Sequence, residues 1–367
     1  MPIKKIIPQM EPWFGDEERL AIDAYMRKNG WITEFKKTQE FENVLAEYAG
    51  TKHCIVVNNG TISLTLAAVA ADIKSGDEVI VPNYTMIASP NSIKMFGATP
   101  VFVDVESETL CLDIHLVEKA ITDKTKAIML VLANGRYPES GIKAFEDLAK
   151  KHNIVLLEDS AQSLGSLYPD GRHQGSVGLV GSFSFSTPKI ISTGQGGALI
   201  TNDDDIAFKL KRLKDFGRNG GGVDIHDSIG YNFKFTDLQA IIGLEQMKKI
   251  DWRVERKKEI YELYKTGLDG CPSVKFFKQD TKITAPWFID VLVENIQELM
   301  EYLKIKGIGS RLMYPPINKQ SAYKVPGNHP VSNLIGEKGL WLPSAAQLTN
   351  DEIEYICNCI LQFYKQN

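Results

Sequence analysis

The sequence predicts an α/β protein: a large unit on a mostly parallel sheet covered by helices on both faces, followed by a smaller α+β unit. Three observations carry this. Between about residues 40 and 240, short β-rich runs alternate with stretches of helical spacing. Runs such as 127–132 and 154–157 are apolar throughout, as in strands buried on both faces. A chain of 367 residues exceeds what one small core needs, and its texture changes after about residue 245. The expected division is 1–245 for the large unit, including the N-terminal segment, and 246–367 for the small one.

Taken in order, residues 41–48 have helical spacing. His53 to Val57 is a β-rich run, and Asn58-Asn59-Gly60-Thr61 opens an apolar helix to about Ala71. Residues 78–81 form a strand that stops at Pro82, which has no amide hydrogen to continue a ladder. Residues 100–105, 127–132 and 154–157 are further strands, with a helix over 142–152. Short strands at 182–186 and 197–201 are joined by the turn-rich Thr193-Gly194-Gln195-Gly196-Gly197. Next comes a long charged helix over 246–268, placed to cross between units. A strand-like stretch over 283–292, a helix over 296–306, a Pro/Tyr/Asn-rich loop over 314–330 and an amphipathic helix over 350–364 complete the chain.

Composition excludes several classes. Hydrophobic content of 43% and charged content of 24% suit a soluble globular protein. A net charge of -4 gives no general pull towards nucleic acid or anionic membrane, so a phosphate-bearing ligand must be held by local donors. The five cysteines lack CxxC spacing, so free thiols and no metal site are expected. No apolar run is long enough for a signal peptide or a membrane span, and a cytoplasmic location is expected.

Three segments carry chemistry. Glu158-Asp159-Ser160-Ala161-Gln162 follows a buried strand, at the edge where open α/β sheets bind ligands. A carboxylate there can pair with a cationic ring nitrogen or a metal, or cap the next helix. Residues 181–197 surround Lys189 with hydroxyls, including Ser184, and with glycines that allow close approach of a ligand. Between apolar strands a lysine loses solvation and moves towards the neutral amine that attacks carbonyls; a surface lysine in a turn is the plainer alternative. Gly-Gln-Gly-Gly is not GxGxxG, which argues against a dinucleotide site. Asn59-Gly60-Thr61 can hold an anion on a helix N-terminus, or can be an ordinary cap. Phosphate anchor, carboxylate and desolvated lysine are together what pyridoxal 5'-phosphate (PLP) requires.

With those residues in view, the sequence resembles the DegT/DnrJ/EryC1/StrS family of PLP-dependent sugar aminotransferases over nearly its whole length. The resemblance lies in Asn59-Gly60-Thr61, residues 76–82 and 97–104, Glu158 to Gln162, residues 182–197, Gly-Tyr-Asn-Phe-Lys-Phe-Thr-Asp-Leu-Gln at 230–239, Tyr314-Pro315-Pro316 and residues 339–343. It implies the aspartate-aminotransferase fold (fold type I), with Lys189 joined to the cofactor as a Schiff base and moving the proton. Asp159 would pair with the pyridine nitrogen, Gln162 would sit near the phenolic oxygen, and Gly60, Thr61 and Ser184 would hold the phosphate. Asn232 would reach the phosphate from a neighbouring subunit, implying a homodimer with shared active sites. The implied reaction moves an amino group from glutamate to a nucleotide-linked 4-keto-6-deoxy or 3-keto hexose for surface glycan synthesis.

Lysine at 189 favours transamination, because relatives that dehydrate C3 of a sugar carry histidine there. A PLP-dependent dehydratase and an aminotransferase for another phosphorylated ketone are the alternatives. A regulatory protein that keeps PLP as a sensor is a third reading, and the sequence has nothing resembling the helix-turn-helix or basic arm it would call for. Three departures from the family pattern bear on the substrate pocket. Met86 stands where an aromatic usually stacks on the ring, with Tyr84 the other candidate. Leu132-Ala133-Asn134-Gly135 replaces His-x-x-Gly, and Tyr314-Pro315-Pro316-Ile317-Asn318 replaces Tyr-x-Pro-x-His. Trp31 and Thr33 near the N-terminus, Arg218 in the glycine-rich loop over 216–222, Tyr314 and Asn318 are the candidate substrate contacts. For Trp31 domain packing, and for Arg218 a solvated loop, are the alternatives.

Overall fold

Residues 6–220 and 224–366 are described by the structure, a computed structural model. Seven strands make the central sheet: β1 (His53–Val57), β2 (Glu78–Pro82), β3 (Thr99–Val103), β4 (Thr125–Val131), β5 (Val155–Asp159), β6 (Val180–Ser184) and β7 (Gly197–Thr201). Their order is β1-β7-β6-β5-β4-β2-β3. The ladders from β6 through β5, β4 and β2 to β3 are parallel, and β7 runs antiparallel to both β6 and β1.

Strand side chains alternate between the two faces, and here both faces are buried. Val79, Val81, Ala127, Met129 and Leu157 pack with helices α3 (Gly60–Ala70) and α7 (Asp204–Lys214). Their neighbours Ile80, Ile128, Leu130 and Leu156 pack with α5 (Ile114–Ala120) and α6 (Ile142–His152). This double covering is why these runs read as continuously apolar. Helices α1 (Asp16–Arg27), α2 (Lys36–Ala49), α4 (Ala88–Lys94) and α8 (Asp237–Met247) complete the large unit.

The second sheet is antiparallel, in the order β10-β11-β9-β8, from β8 (Val274–Phe276), β9 (Ile289–Val293), β10 (Arg311–Leu312) and β11 (Gly339–Leu342). Its core joins Ile289, Val291 and Leu340 to α9 (Ile250–Gly267), α10 (Ile296–Ile305) and α12 (Asn350–Gln366). Helix α11 (Pro330–Lys338) is held at its start by Asp104, whose carboxylate accepts from the amides of Val331 and Ser332.

Two expectations change. The charged helix expected over 246–268 is α9, which begins only at Ile250, because Lys248 and Lys249 separate it from α8; Lys249 has ψ of 1° and its amine pairs with Glu17 and Glu18. The strand expected over 283–292 begins only at Ile289. Before it, the backbone bonds to the large unit instead of a ladder: Ala285 N donates to Ser166 Oγ (2.9 Å) and Phe288 N to Asn134 Oδ1 (2.6 Å). Among the described residues no helix is long and apolar enough to cross a membrane. The five cysteines are free, and no cluster of His, Cys, Asp and Glu able to hold a metal is found among those residues.

Candidate active site

Strands β1, β2, β4, β5 and β6 all end on one edge of the sheet, and β7 begins there. A cleft of about 450 Å³ opens at that edge. On one wall, Asn59 caps α3: its Oδ1 accepts from Ile62 N (2.9 Å) and its carbonyl from Ser63 N (3.1 Å). The amides of Gly60 and Thr61, both on the cleft wall, are left without an acceptor inside the helix. Ser184, the last residue of β6, sits so close to Gly60 that a Cβ there would lie 2.8 Å from the Ser184 Cβ. A Cβ on Gly197 would lie 2.6 Å from the Asn59 carbonyl oxygen. Two amides at a helix N-terminus and the hydroxyls of Thr61, Ser184 and Ser186 form a cradle whose donors suit a phosphate.

Asp159 and Glu158 are adjacent at the end of β5, and period two sends them to opposite sides. Glu158 turns away from the cleft, accepting from Tyr168 OH (2.6 Å) and from the amides of Gly175 (2.8 Å), Val177 (2.7 Å) and Gly178 (2.5 Å). With four donors it is a structural carboxylate. Asp159, buried on the cleft side, accepts from Ser89 Oγ (2.7 Å) and Ala161 N (3.2 Å). Burial pushes its carboxyl up, while Ser89, Ala161 and the charge of Lys189 pull it down.

Lys189 lines the same cleft, with its amine 3.9 Å from the centroid of the Trp287 ring. Burial lowers the amine to about 8, against the attraction of Asp159. Gln162 is oriented by Asn134, whose amide donates to its Oε1 (2.8 Å), leaving the NH₂ group as a donor on the cleft wall. Met86 lines the cleft, half-exposed, its sulfur accepting from Ala88 N (3.1 Å). Tyr84 instead lies buried against Tyr314 in the core between the sheets. Of the two candidates for the ring face, only Met86 is on the wall. Tyr314 also lines the cleft, its phenol held neutral because burial pushes it far up.

The cleft therefore brings together Gly60, Thr61, Met86, Asp159, Gln162, Ser184, Lys189 and Tyr314. The other candidates lie elsewhere in the chain. Asn232 is exposed and bridges to Asp215. Trp31 and Thr33 are exposed, the Trp31 carbonyl accepting from Tyr25 OH (2.8 Å) and Thr33 bridging to Thr236. Arg218 lies near Asp224 (3.5 Å) and over the Phe216 ring, while residues 221–223 of its glycine run fall outside the described residues.

Asn318 is buried in a reciprocal pair, accepting from Asn83 Nδ2 (3.0 Å) and donating its amide to Asn83 Oδ1 (2.9 Å). That pairing consumes the side chain as a clasp between β2 and the C-terminal loop and takes it off the cleft wall. In the Leu132–Gly135 stretch, Leu132 is buried in an apolar cluster and Asn134 is likewise a clasp. Asn134, at φ 56°, holds Phe288 and Asp290, and the buried Arg136 guanidinium pairs with Asp290. The sequence pattern did not single out Trp287, Arg311, Ser89 or Asn134, of which the first two line the cleft. The last two act on Asp159 and Gln162 from behind, and only the departure at 132–135 gave any signal.

The cradle at Gly60 and Ser184, the buried Asp159 and the desolvated amine fit PLP. A model of the DegT/DnrJ/EryC1/StrS aminotransferase family matches residues 14–361. The chain is 35% identical over 364 residues to the GDP-perosamine synthase of Escherichia coli O157:H7, covering 98% of this chain and 99% of that one. To the GDP-perosamine synthase of Vibrio cholerae it is 34% identical over 368 residues, covering 98% and 99%. The solved structure of DesV from S. venezuelae superposes with a TM-score of 0.89 at 31% identity, covering 95% of this chain and 94% of that one. The chain belongs to the DegT/DnrJ/EryC1/StrS aminotransferase family and is a PLP-dependent aminotransferase of fold type I.

Proposed function

We propose that this enzyme carries an amino group from glutamate to a nucleotide-linked keto sugar, a 4-keto-6-deoxy or 3-keto hexose, for surface glycan synthesis. We further propose that it works as a homodimer, with residues 1–245 as the cofactor-binding domain and 246–367 as the smaller one. The observation carrying the reading is one cleft holding a desolvated lysine amine, a buried carboxylate and a phosphate-sized cradle. When bound, PLP supplies an aldehyde that condenses with amines and a protonated ring that draws electrons from the reacting carbon.

Lys189 is the cofactor-bearing lysine, and its Nζ takes a proton from the donor's α-carbon and returns one to the sugar carbon. Asp159, fixed by Ser89 and Ala161, holds a negative charge for the ring nitrogen. The Gly60 and Thr61 amides with the Thr61 and Ser184 hydroxyls hold the phosphate. Gln162 would donate to the phenolic oxygen of the bound cofactor, and the Met86 thioether would be the group for its ring face, worth ~1 kcal/mol. Asn232, exposed in a single chain, serves the site of the second subunit. Arg311, on the cleft wall and in no ion pair among the described residues, supports an anionic substrate such as a nucleotide diphosphate.

The test is a screen of nucleotide-linked keto sugars with glutamate, reading the mass of the sugar product and the release of 2-oxoglutarate. Guanosine-diphosphate-linked sugars come first, because the two relatives at 34–35% identity are GDP-perosamine synthases. An amino sugar formed together with 2-oxoglutarate is the expected result. Loss of water from the sugar with glutamate unconsumed would replace transamination by dehydration.

A further inference from the structure

Trp287 lies two residues before β9, in the part of the chain that builds the second sheet, yet its ring walls the cleft around Lys189. We infer that Trp287 is a positioning residue for the reaction, the π face of its indole fixing the Lys189 amine in the cleft and favouring its protonated form. The inference rests on the reading of Lys189 given above.

The contact at the amine comes first. Lys189 Nζ has no hydrogen bond or ion pair among the described residues, and it lies 3.9 Å from the Trp287 ring centroid. That is well inside the range at which a cation is attracted to an aromatic face, and the attraction grows when water is excluded.

The ring itself is fixed. Its Nε1–H donates to the carbonyl of Pro188 (2.7 Å), the residue before Lys189. Its face stacks on Phe288 at 3.8 Å, and Trp341 meets it edge-on at 5.9 Å. One indole thus grips the backbone of the lysine loop by its nitrogen and the lysine amine by its face.

The segment carrying the ring is anchored in turn. Both backbone groups of Phe288 are taken by the Asn134 side chain (2.6 and 2.8 Å), and the Asn134 amide donates to Gln162 (2.8 Å). The residue that orients Gln162 therefore also fixes the stretch that holds Trp287. Lys189, Pro188 and Trp287 are shared with a second, small cavity behind the indole. The charged and titratable groups around the two spaces are Asp159, Arg311 and Tyr314 on the cleft side, and Glu11, Arg253 and Lys257 behind. None forms a salt bridge with Lys189 among the described residues, so the indole is the direct contact.

The test uses the full-length chain, stripped of cofactor, as wild type, Trp287→Phe and Trp287→Leu. Competitive acetylation across pH, followed by peptide mass spectrometry at Lys189, gives the midpoint at which the amine loses its proton. Phenylalanine keeps a weaker aromatic face, and leucine keeps apolar bulk without one. The midpoint should fall from Trp to Phe to Leu, by about one pH unit in the leucine variant, a tenfold shift. A merely structural role would lower the melting temperature and leave the midpoint in place. A midpoint unchanged or raised in both variants overturns the inference. If the leucine variant does not fold, the phenylalanine midpoint decides: a fall of a few tenths supports it, and no fall overturns it. The labelling reads the amine itself, so its outcome is separate from whether Lys189 carries the reaction.

Discussion

Lys189 sits in a cleft that lowers its amine from an ordinary 10.5 to about 8. At pH 7 an ordinary lysine is neutral in about one molecule in three thousand, whereas one titrating near 8 is neutral in about one in ten. The gain of roughly 300-fold in nucleophilic amine follows from burial alone, reduced by the nearby Asp159 charge. The perturbation is pH, and the assay is stopped-flow absorbance as PLP is mixed with full-length chain stripped of it. Between pH 7 and 9 the uptake rate should rise about tenfold and flatten above pH 8, following the neutral fraction. An unperturbed lysine would give about a hundredfold rise over the same range without flattening. A rate still climbing in proportion to hydroxide at pH 9 would refute the desolvated-amine reading. The same shift has a stability sign. A base whose folded pKa is depressed costs stability while charged, so this cost is complete below pH 8 and is relieved as pH rises towards 10.5.

Lys257 is 3% exposed and, among the described residues, its amine donates only to the Ser344 carbonyl, with burial alone lowering it to about 7. Lys257→Met should therefore stabilise the protein below pH 7, by on the order of a few kcal/mol, with the gain fading as pH rises towards 10.5. Urea unfolding at pH 6 and pH 9.5 checks this, and an equal gain at both would sink it. Gly60→Ala should weaken PLP binding at least about tenfold, because the new Cβ must displace Ser184 from the phosphate cradle. Equilibrium dialysis reads it, and unchanged affinity would mean that Ser184 contributes nothing. Arg136→Met should cost about 3–5 kcal/mol by leaving Asp290 buried without its cation, read as a fall in the urea midpoint. A smaller loss in Asp290→Asn/Arg136→Met than in the single variant would assign the cost to the unpaired carboxylate.

What could be read in the sequence was what is local to one strand end. Gly60, Thr61, Asp159, Gln162, Ser184 and Lys189 each lie at or shortly beyond the C-terminal end of β1, β5 or β6, and strands running in the same direction deliver their ends to one edge. Trp287 and Arg311 come from 98 and 122 residues beyond Lys189, across a connection between sheets that no periodicity encodes, and Tyr314, 125 residues on, was named only through the family resemblance. The stretch before β9 misled for a related reason. Its apolar residues satisfy a strand pattern, but its amides are spent on Ser166 and Asn134. Of the departures expected to bear on the substrate pocket, Leu132 is buried in the core and Asn318 is paired with Asn83, and near Leu132 the side chain of Asn134 bonds to Phe288 and Asp290; buried amides of this kind are normally satisfied.

Burying a lysine amine has a cost, and the way it is met explains why the second sheet belongs to the active site. The large unit supplies the carboxylate and the proposed phosphate cradle from its own strand ends. Among its described residues it supplies no direct partner for the amine: Asp159 is close enough to attract Lys189 but is hydrogen-bonded to Ser89 and Ala161. A second carboxylate at the amine would lock it as an ammonium, and open water would return it to an ordinary pKa. An aromatic face does neither. It excludes water, attracts the cation weakly and accepts no proton, so the amine can cycle between its two forms near neutral pH. Delivering such a face to the sheet edge requires an element that approaches from outside the sheet, and the Asn134 and Arg136 clasps hold the segment that does so. The buried pair of Arg136 with Asp290 is then better understood as fixing where Trp287 sits than as a source of net stability.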